Sequence, residues 1–247
     1  MVDEGKAVPE GKRIYWLDNL RTFAIFLVVL IHAGVVYESS GIGAIFWIVD
    51  DPATNDLIGI VNLVLDIFVM PTLFFVSGYL TPRSLEHRSG WDFVKAKFKR
   101  LMVPWVVAVS TLIPIYKVIF LYSRGLPPEH WSSYFHFSNG IYSQNWLWFL
   151  PVLFFFNLLY VLLSSRGWVP EKMSFKLAMV VTFVISAASS VAFDLLNAEG
   201  WTLTALIDFQ NERLLIYFMM FLLGSLGFQQ GIFTSRPSCP QALTKNS

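Results

Sequence analysis

The chain has 247 residues, of which 55% are hydrophobic, 17% aromatic and only 14% charged, against ~25% charged in an ordinary soluble domain. A net charge of +1 offers no footprint for nucleic acid, so information lies in where the charges sit rather than in their sum. The single cysteine, Cys239, excludes an intrachain disulfide and a cysteine metal cluster within the chain.

Taken in order, residues 1–16 carry acids and a proline, and no small-residue cleavage site clearly follows the first apolar run. They read as a cytoplasmic N-terminal segment before a retained span, not as a signal peptide. The apolar residues that follow gather into six blocks at about 17–37, 57–80, 102–122, 146–164, 177–196 and 213–233. Each is near the ~20 residues a helix needs to cross a ~30 Å hydrocarbon core. The pattern predicts an all-α fold: a polytopic integral membrane helix bundle of about six transmembrane helices, in one domain over 17–233. Pro71 and Pro114 fall inside spans, where kinks are expected. Residues 234–247 are polar and proline-containing and read as a disordered tail.

The loops set an orientation, because Lys and Arg in short loops accumulate on the cytoplasmic side. With the N-terminus inside, the inner segments hold Lys6, Lys12, Arg13, Arg83, Arg88, Lys95, Lys97, Lys99, Arg100, Arg166, Lys172, Lys176, Arg236 and Lys245. The outer side holds Arg124 and the boundary residue Arg213. The expectation is a multi-pass protein of the cell (plasma or inner) membrane with a cytoplasmic N-terminus and lipid as its surroundings. Trp47, Trp146 and other aromatic residues near the span ends read as interfacial rings.

In the first span Arg21 and His32 stand eleven residues apart. At ~100° and ~1.5 Å per residue, their side chains point within about 20° of one another, ~16 Å apart along the axis. One reading has Arg21 snorkelling to headgroups and His32 bonding a neighbouring helix. The other has a substrate with phosphates at the surface and its reactive group deeper, as in acyl-CoA, with His32 as general base. Asp18, three residues before Arg21, orients the guanidinium or lies at the interface. The basic stretch with Lys95, Lys97, Lys99 and Arg100 suits positive-inside charge, anionic lipid or CoA phosphates alike.

Asp66 and Asn62 lie one turn apart in the second span, so the carboxylate is expected to face the bundle, either serving an acceptor or as a hydrogen-bonded structural acid. Lys117 in the third span is expected to snorkel outward, the alternative being an acid such as Asp66. His87, His130 and His136 lie in loops without metal-ligand spacing, so no metal site is expected. Asp194 and Asn197 mark the outer end of the fifth span.

LDNLRTFAIFLVVLIHAG, VMPTLFFVSGYL, KAKFKRLMVPW and NWLWFLPVLFFFNLLYVLL together resemble the membrane acyltransferase family 3, which includes polysaccharide O-acyltransferases and the glucan biosynthesis protein C group. The likeness covers about residues 14–165 and continues more loosely to about 230. It implies an acyltransferase moving groups other than amino-acyl groups: acetyl or succinyl from cytoplasmic acyl-CoA to a carbohydrate or glucan hydroxyl. Arg21 and His32 match the family's arginine and histidine; Lys97 and Arg100 match a basic pair that is more often two arginines. Family members commonly have around ten spans, which makes a truncated, inactive product one expectation. The alternatives from other classes are a transporter or flippase using His32 and Asp66, and a non-catalytic membrane fragment.

Overall fold

The computed structural model describes residues 15–39, 47–49, 51–86, 88–130, 145–169, 173–204 and 206–233. Most of the expected 1–16 segment and the 234–247 tail therefore lie outside the described residues, as do His87 and His136. The described chain is an all-α membrane bundle. Its helices are α1 (Tyr15–Gly34), α2 (Asp56–Glu86), α3 (Gly90–Lys97), α4 (Val103–Ser123), α5 (Phe149–Ser165), α6 (Phe175–Leu195) and α7 (Asn211–Gln229). Among the described residues, five helical stretches are long and apolar enough to cross a membrane: Tyr15–Tyr37, Asp56–Glu86, Gly90–Ser123, Trp146–Ser165 and Phe175–Leu195. The sixth expected span is α7, whose first turn carries Asn211, Glu212 and Arg213.

The frame is built on α2 and α7, which run side by side, with α6 against α7 and α1 against α2. Glycine permits this. A Cβ on Gly78 would collide with the backbone carbonyl of Phe221, and one on Gly224 with that of Phe75. In a bilayer, where lipid competes with apolar side chains, such close backbone approach supplies the packing contacts that hold helices together.

Around the seam lies an aromatic core. Phe74 stacks on Tyr217 at 4.9 Å between centroids and meets Phe156 at 5.2 Å. Phe74, Phe156 and Phe221 are all essentially inaccessible. Two buried polar side chains lie beside it: Thr81 Oγ is 2.8 Å from the Ser77 carbonyl and 3.2 Å from Asn157 Oδ1, while Asn157 donates to the Leu153 carbonyl at 2.7 Å. Both partners are satisfied, as burial in a medium without water requires. The outward faces are apolar, with Val107 and Ile115 on α4 and Phe183 and Val184 on α6 exposed.

Between α2 and α4 the chain makes an element that the apolar pattern does not announce. Ser89 caps α3 by accepting from the backbone N–H of Asp92 at 3.1 Å, and its hydroxyl donates to the Asp92 carboxylate at 2.7 Å. The five residues Phe98–Met102 then form a π turn, with the Val103 N–H reaching back to the Phe98 carbonyl. Pro104 accounts for it, since a proline has no N–H to give the carbonyl four residues earlier, that of Arg100.

Candidate functional site

The helix α1 sets the geometry. It is continuous from Tyr15 to Gly34, so Arg21 and His32 share one face. Leu17 and Ala24 are its buried residues, seated on α2 beside Val76, Tyr79, Val69 and Leu73. Arg21 is exposed, while Asp18 and His32 are half-buried. Asp18 accepts from the Thr22 hydroxyl through its backbone carbonyl at 2.9 Å.

At the N-terminal end of α1, cations collect. Arg100, Arg21 and Arg88 all lie close enough to Lys97 for their fields to act on it. Lys97 is half-buried, with its ammonium 5.1 Å from the Phe93 ring centre. Three of these cations, Arg21, Lys97 and Arg100, are those picked out in the sequence, and the fold adds Arg88. Lys95 is tied up differently, in an exposed pair with Asp92 at 2.8 Å. Gathering like charges costs Coulomb energy that an anion would offset, and phosphate oxygens suit guanidinium forks.

The other end of α1 is aromatic. His32 Nδ1 is 2.7 Å from the Val28 carbonyl oxygen. A carbonyl only accepts, so Nδ1 carries the proton, and in the neutral ring Nε2 keeps its lone pair. Trp47 and Trp146 stand 5.9 and 6.4 Å from the imidazole, centre to centre. Asn62 of α2 donates to the Ile31 carbonyl at 3.2 Å and to the Glu38 carboxylate at 2.6 Å, tying down the last turn of α1.

Two interior charges find partners that the sequence does not name. Asp66 pairs with Arg213 at the start of α7, close to Tyr217. The carboxylate thus bridges α2 to α7, one turn along α2 from Asn62. Lys117 corrects the snorkelling expectation: it is 1% exposed and bonds Glu129 at 2.6 Å. A buried ammonium is costly without an anion beside it, and Glu129, just beyond the helix, supplies one. His130 is exposed, as are Asp194 and Asn197 at the end of α6. Among the described residues no group of His, Cys, Asp and Glu could hold a metal.

Arg88 was legible only as one more inner-side charge. Trp47 and Trp146 looked like interfacial rings, and nothing in their spacing pointed at His32.

By fold, this is a polytopic helical membrane protein. The acyltransferase domain family matches it over residues 14–236, and the chain belongs to that family. It is similar to the glucans biosynthesis protein C of Escherichia coli (strain SMS-3-5 / SECEC), with 23% identity over 232 residues. That match takes in 88% of this chain and 59% of the relative, so the chain spans about three fifths of the relative's length. No solved structure is significantly similar to it.

Proposed function

We propose that the chain works as a membrane O-acyltransferase, moving an acetyl or succinyl group from acyl-CoA to a carbohydrate or glucan hydroxyl. The observation that carries this reading is the division of α1: cations gather around Arg21 at one end, and His32 stands with its Nε2 lone pair at the other. The basic end is the cytoplasmic one, on the weight of Lys and Arg in the connecting segments. Arg21, Lys97 and Arg100, with Arg88, hold the CoA phosphates there. The pantetheine arm runs along α1 and brings the thioester toward His32.

Nε2 then takes the proton of the acceptor hydroxyl as its oxygen attacks the thioester carbonyl carbon. The tetrahedral intermediate collapses with cleavage of the carbon–sulfur bond. The CoA thiolate leaves and recovers the proton from the imidazolium, so the base is regenerated. Val28 contributes by holding Nδ1–H, which stabilises the tautomer that can accept and the imidazolium that forms. Asp66 is bound to Arg213 in this structure. Its role in acceptor binding, for which its place in the second span argues, requires that pair to open.

The test is binding and turnover of labelled acetyl-CoA and succinyl-CoA by the purified chain in lipid, comparing the natural sequence with His32→Ala. Transfer that disappears in the variant while donor binding persists is the expected result. Transfer unaffected by the change overturns the general base. Absence of donor binding in a folded sample overturns the reading as a whole, and a flux assay then separates a transporter or flippase from a non-catalytic membrane fragment.

A further inference from the structure

The transfer step as written uses His32 but none of the rings around it. Trp47, from the connection between α1 and α2, lies 5.3 Å from Trp146 in ring centres. Tyr116 of α4 stands at 90° to Trp146 with centres 4.7 Å apart, and is 6.4 Å from Trp47. Three separate segments therefore send rings to one cluster, in which Trp47 and Trp146 face the imidazole and Tyr116 backs both tryptophans.

Unlike the Phe74–Tyr217 stack, which the core covers completely, all four of these groups are half-buried and keep part of a surface open. Polar groups edge the cluster. Asn62 and Glu38 bond one another beside Ile31, the residue preceding His32. Arg124 Nη2 donates to the Trp47 carbonyl at 2.9 Å, linking the end of α4 to a residue 77 positions earlier. The Arg124 guanidinium is also braced 5.3 Å from the Phe120 ring centre. Flat apolar walls with a few fixed polar groups are how proteins hold ligands that are themselves part apolar and part hydroxylated.

We propose that Trp47, Tyr116 and Trp146 are the acceptor subsite: they take the C–H face of a saccharide ring and set one of its hydroxyls against Nε2 of His32. Arg124 is a positioning residue that keeps Trp47 in the wall. The proposal rests on the acyltransferase reading, because a base at this place needs an acceptor hydroxyl. A cation is also attracted to electron-rich rings, but it brings no hydroxyl for His32 to deprotonate.

The experiment is equilibrium dialysis of a labelled neutral glucose oligosaccharide against the full chain in lipid nanodiscs, with acetyl-CoA binding measured on the same preparation. Trp47→Ala and Trp146→Ala are expected to weaken oligosaccharide binding roughly tenfold, the loss of one good ring contact, and to leave acetyl-CoA binding unchanged. Trp146→Phe, which keeps a smaller ring and the fold, is expected to fall between. Arg124→Ala weakens oligosaccharide binding several-fold, and Arg124→Lys restores part of it, because one donor suffices for a carbonyl. Oligosaccharide binding that ignores these changes overturns the subsite, as does uptake of tetramethylammonium in its place. A chain that binds acetyl-CoA but no oligosaccharide also overturns it and leaves the acyltransferase reading standing. Ring-dependent oligosaccharide binding without any acetyl-CoA binding overturns the acyltransferase reading and with it the acceptor role, leaving the rings as a saccharide-binding site.

Discussion

The two ends of α1 are built on opposite principles. At the N-terminal end, Arg21 is drawn near Lys97, Arg88 and Arg100 from the α2–α3 connection and the start of the third span, and the fields of the three arginines act on Lys97. At the other end, His32 is surrounded by rings and bonded through Nδ1 to its own helix. The first arrangement attracts by charge, is tolerant of geometry and weakens with salt. The second depends on which nitrogen holds the proton and on where three rings stand. A single continuous helix separates them, so a ligand that touches both must be long.

The largest effect expected follows from His32. His32→Ala removes the group that takes the acceptor proton in the proposed step, and a fall in transfer on the order of 10²–10⁴ is expected with acetyl-CoA affinity unchanged. If affinity falls as well, the two ends are not independent and the division along α1 fails.

Next comes the ion pair that anchors the segment after α4. Glu129→Gln takes the counter-charge from a lysine that is 1% exposed, and a loss of stability of about 1–3 kcal/mol is expected. Thermal unfolding in lipid reads it. Replacing both partners, Lys117→Met with Glu129→Gln, is expected to recover most of the loss, since the charge that needed pairing is gone. A double variant no better than Glu129→Gln alone would mean that the pair does not secure this end of the molecule.

The sequence revealed the spans better than what joins them. The run from Val103 to Ser123 matches an expected span of 102–122 almost to the residue because a membrane crossing demands an uninterrupted apolar block. The helix α2 runs on to Glu86, past the expected end at residue 80 and through Pro82. Proline argues for a stop only when the chain has nothing to gain by continuing, and here Thr81 and Pro82 are buried. Similarly α7 ends at Gln229, before the expected 233, and Gly231 follows at φ 64°, the left-handed turn that closes many helices. The capping pattern from Ser89 to Asp92 was readable but lay hidden among positive charges.

The shared face of Arg21 and His32 was legible from spacing alone, because a continuous helix brings residues eleven apart to one side. The pairings Lys117–Glu129 and Asp66–Arg213 were not, since each joins residues that no local period relates. The same holds for Trp47, Tyr116 and Trp146. Convergence of rings from three segments is a property of packing, and composition shows only that aromatic residues are plentiful.

Within the basic end, Arg100→Ala is expected to weaken acetyl-CoA binding about tenfold, the scale of one charge-assisted contact partly screened by solvent. Its effect should shrink as salt is raised, whereas that of His32→Ala on transfer should not. This difference in salt response is the sharpest measure of how far the two ends differ.

The smallest change expected is also the most discriminating about how the cations act. Lys97→Arg keeps the charge and replaces a point-like ammonium by a planar fork. If the four cations hold phosphate by summed charge, donor affinity should move by less than about threefold, because the field at the site is nearly unchanged. If Lys97 instead meets a phosphate directly, the fork adds a second parallel hydrogen bond and affinity should rise beyond that range. A marked fall would point elsewhere, to the packing of the Lys97 stem over Phe93. The lysine would then support the helix turn that presents Arg100, and the anion would be held by the three arginines.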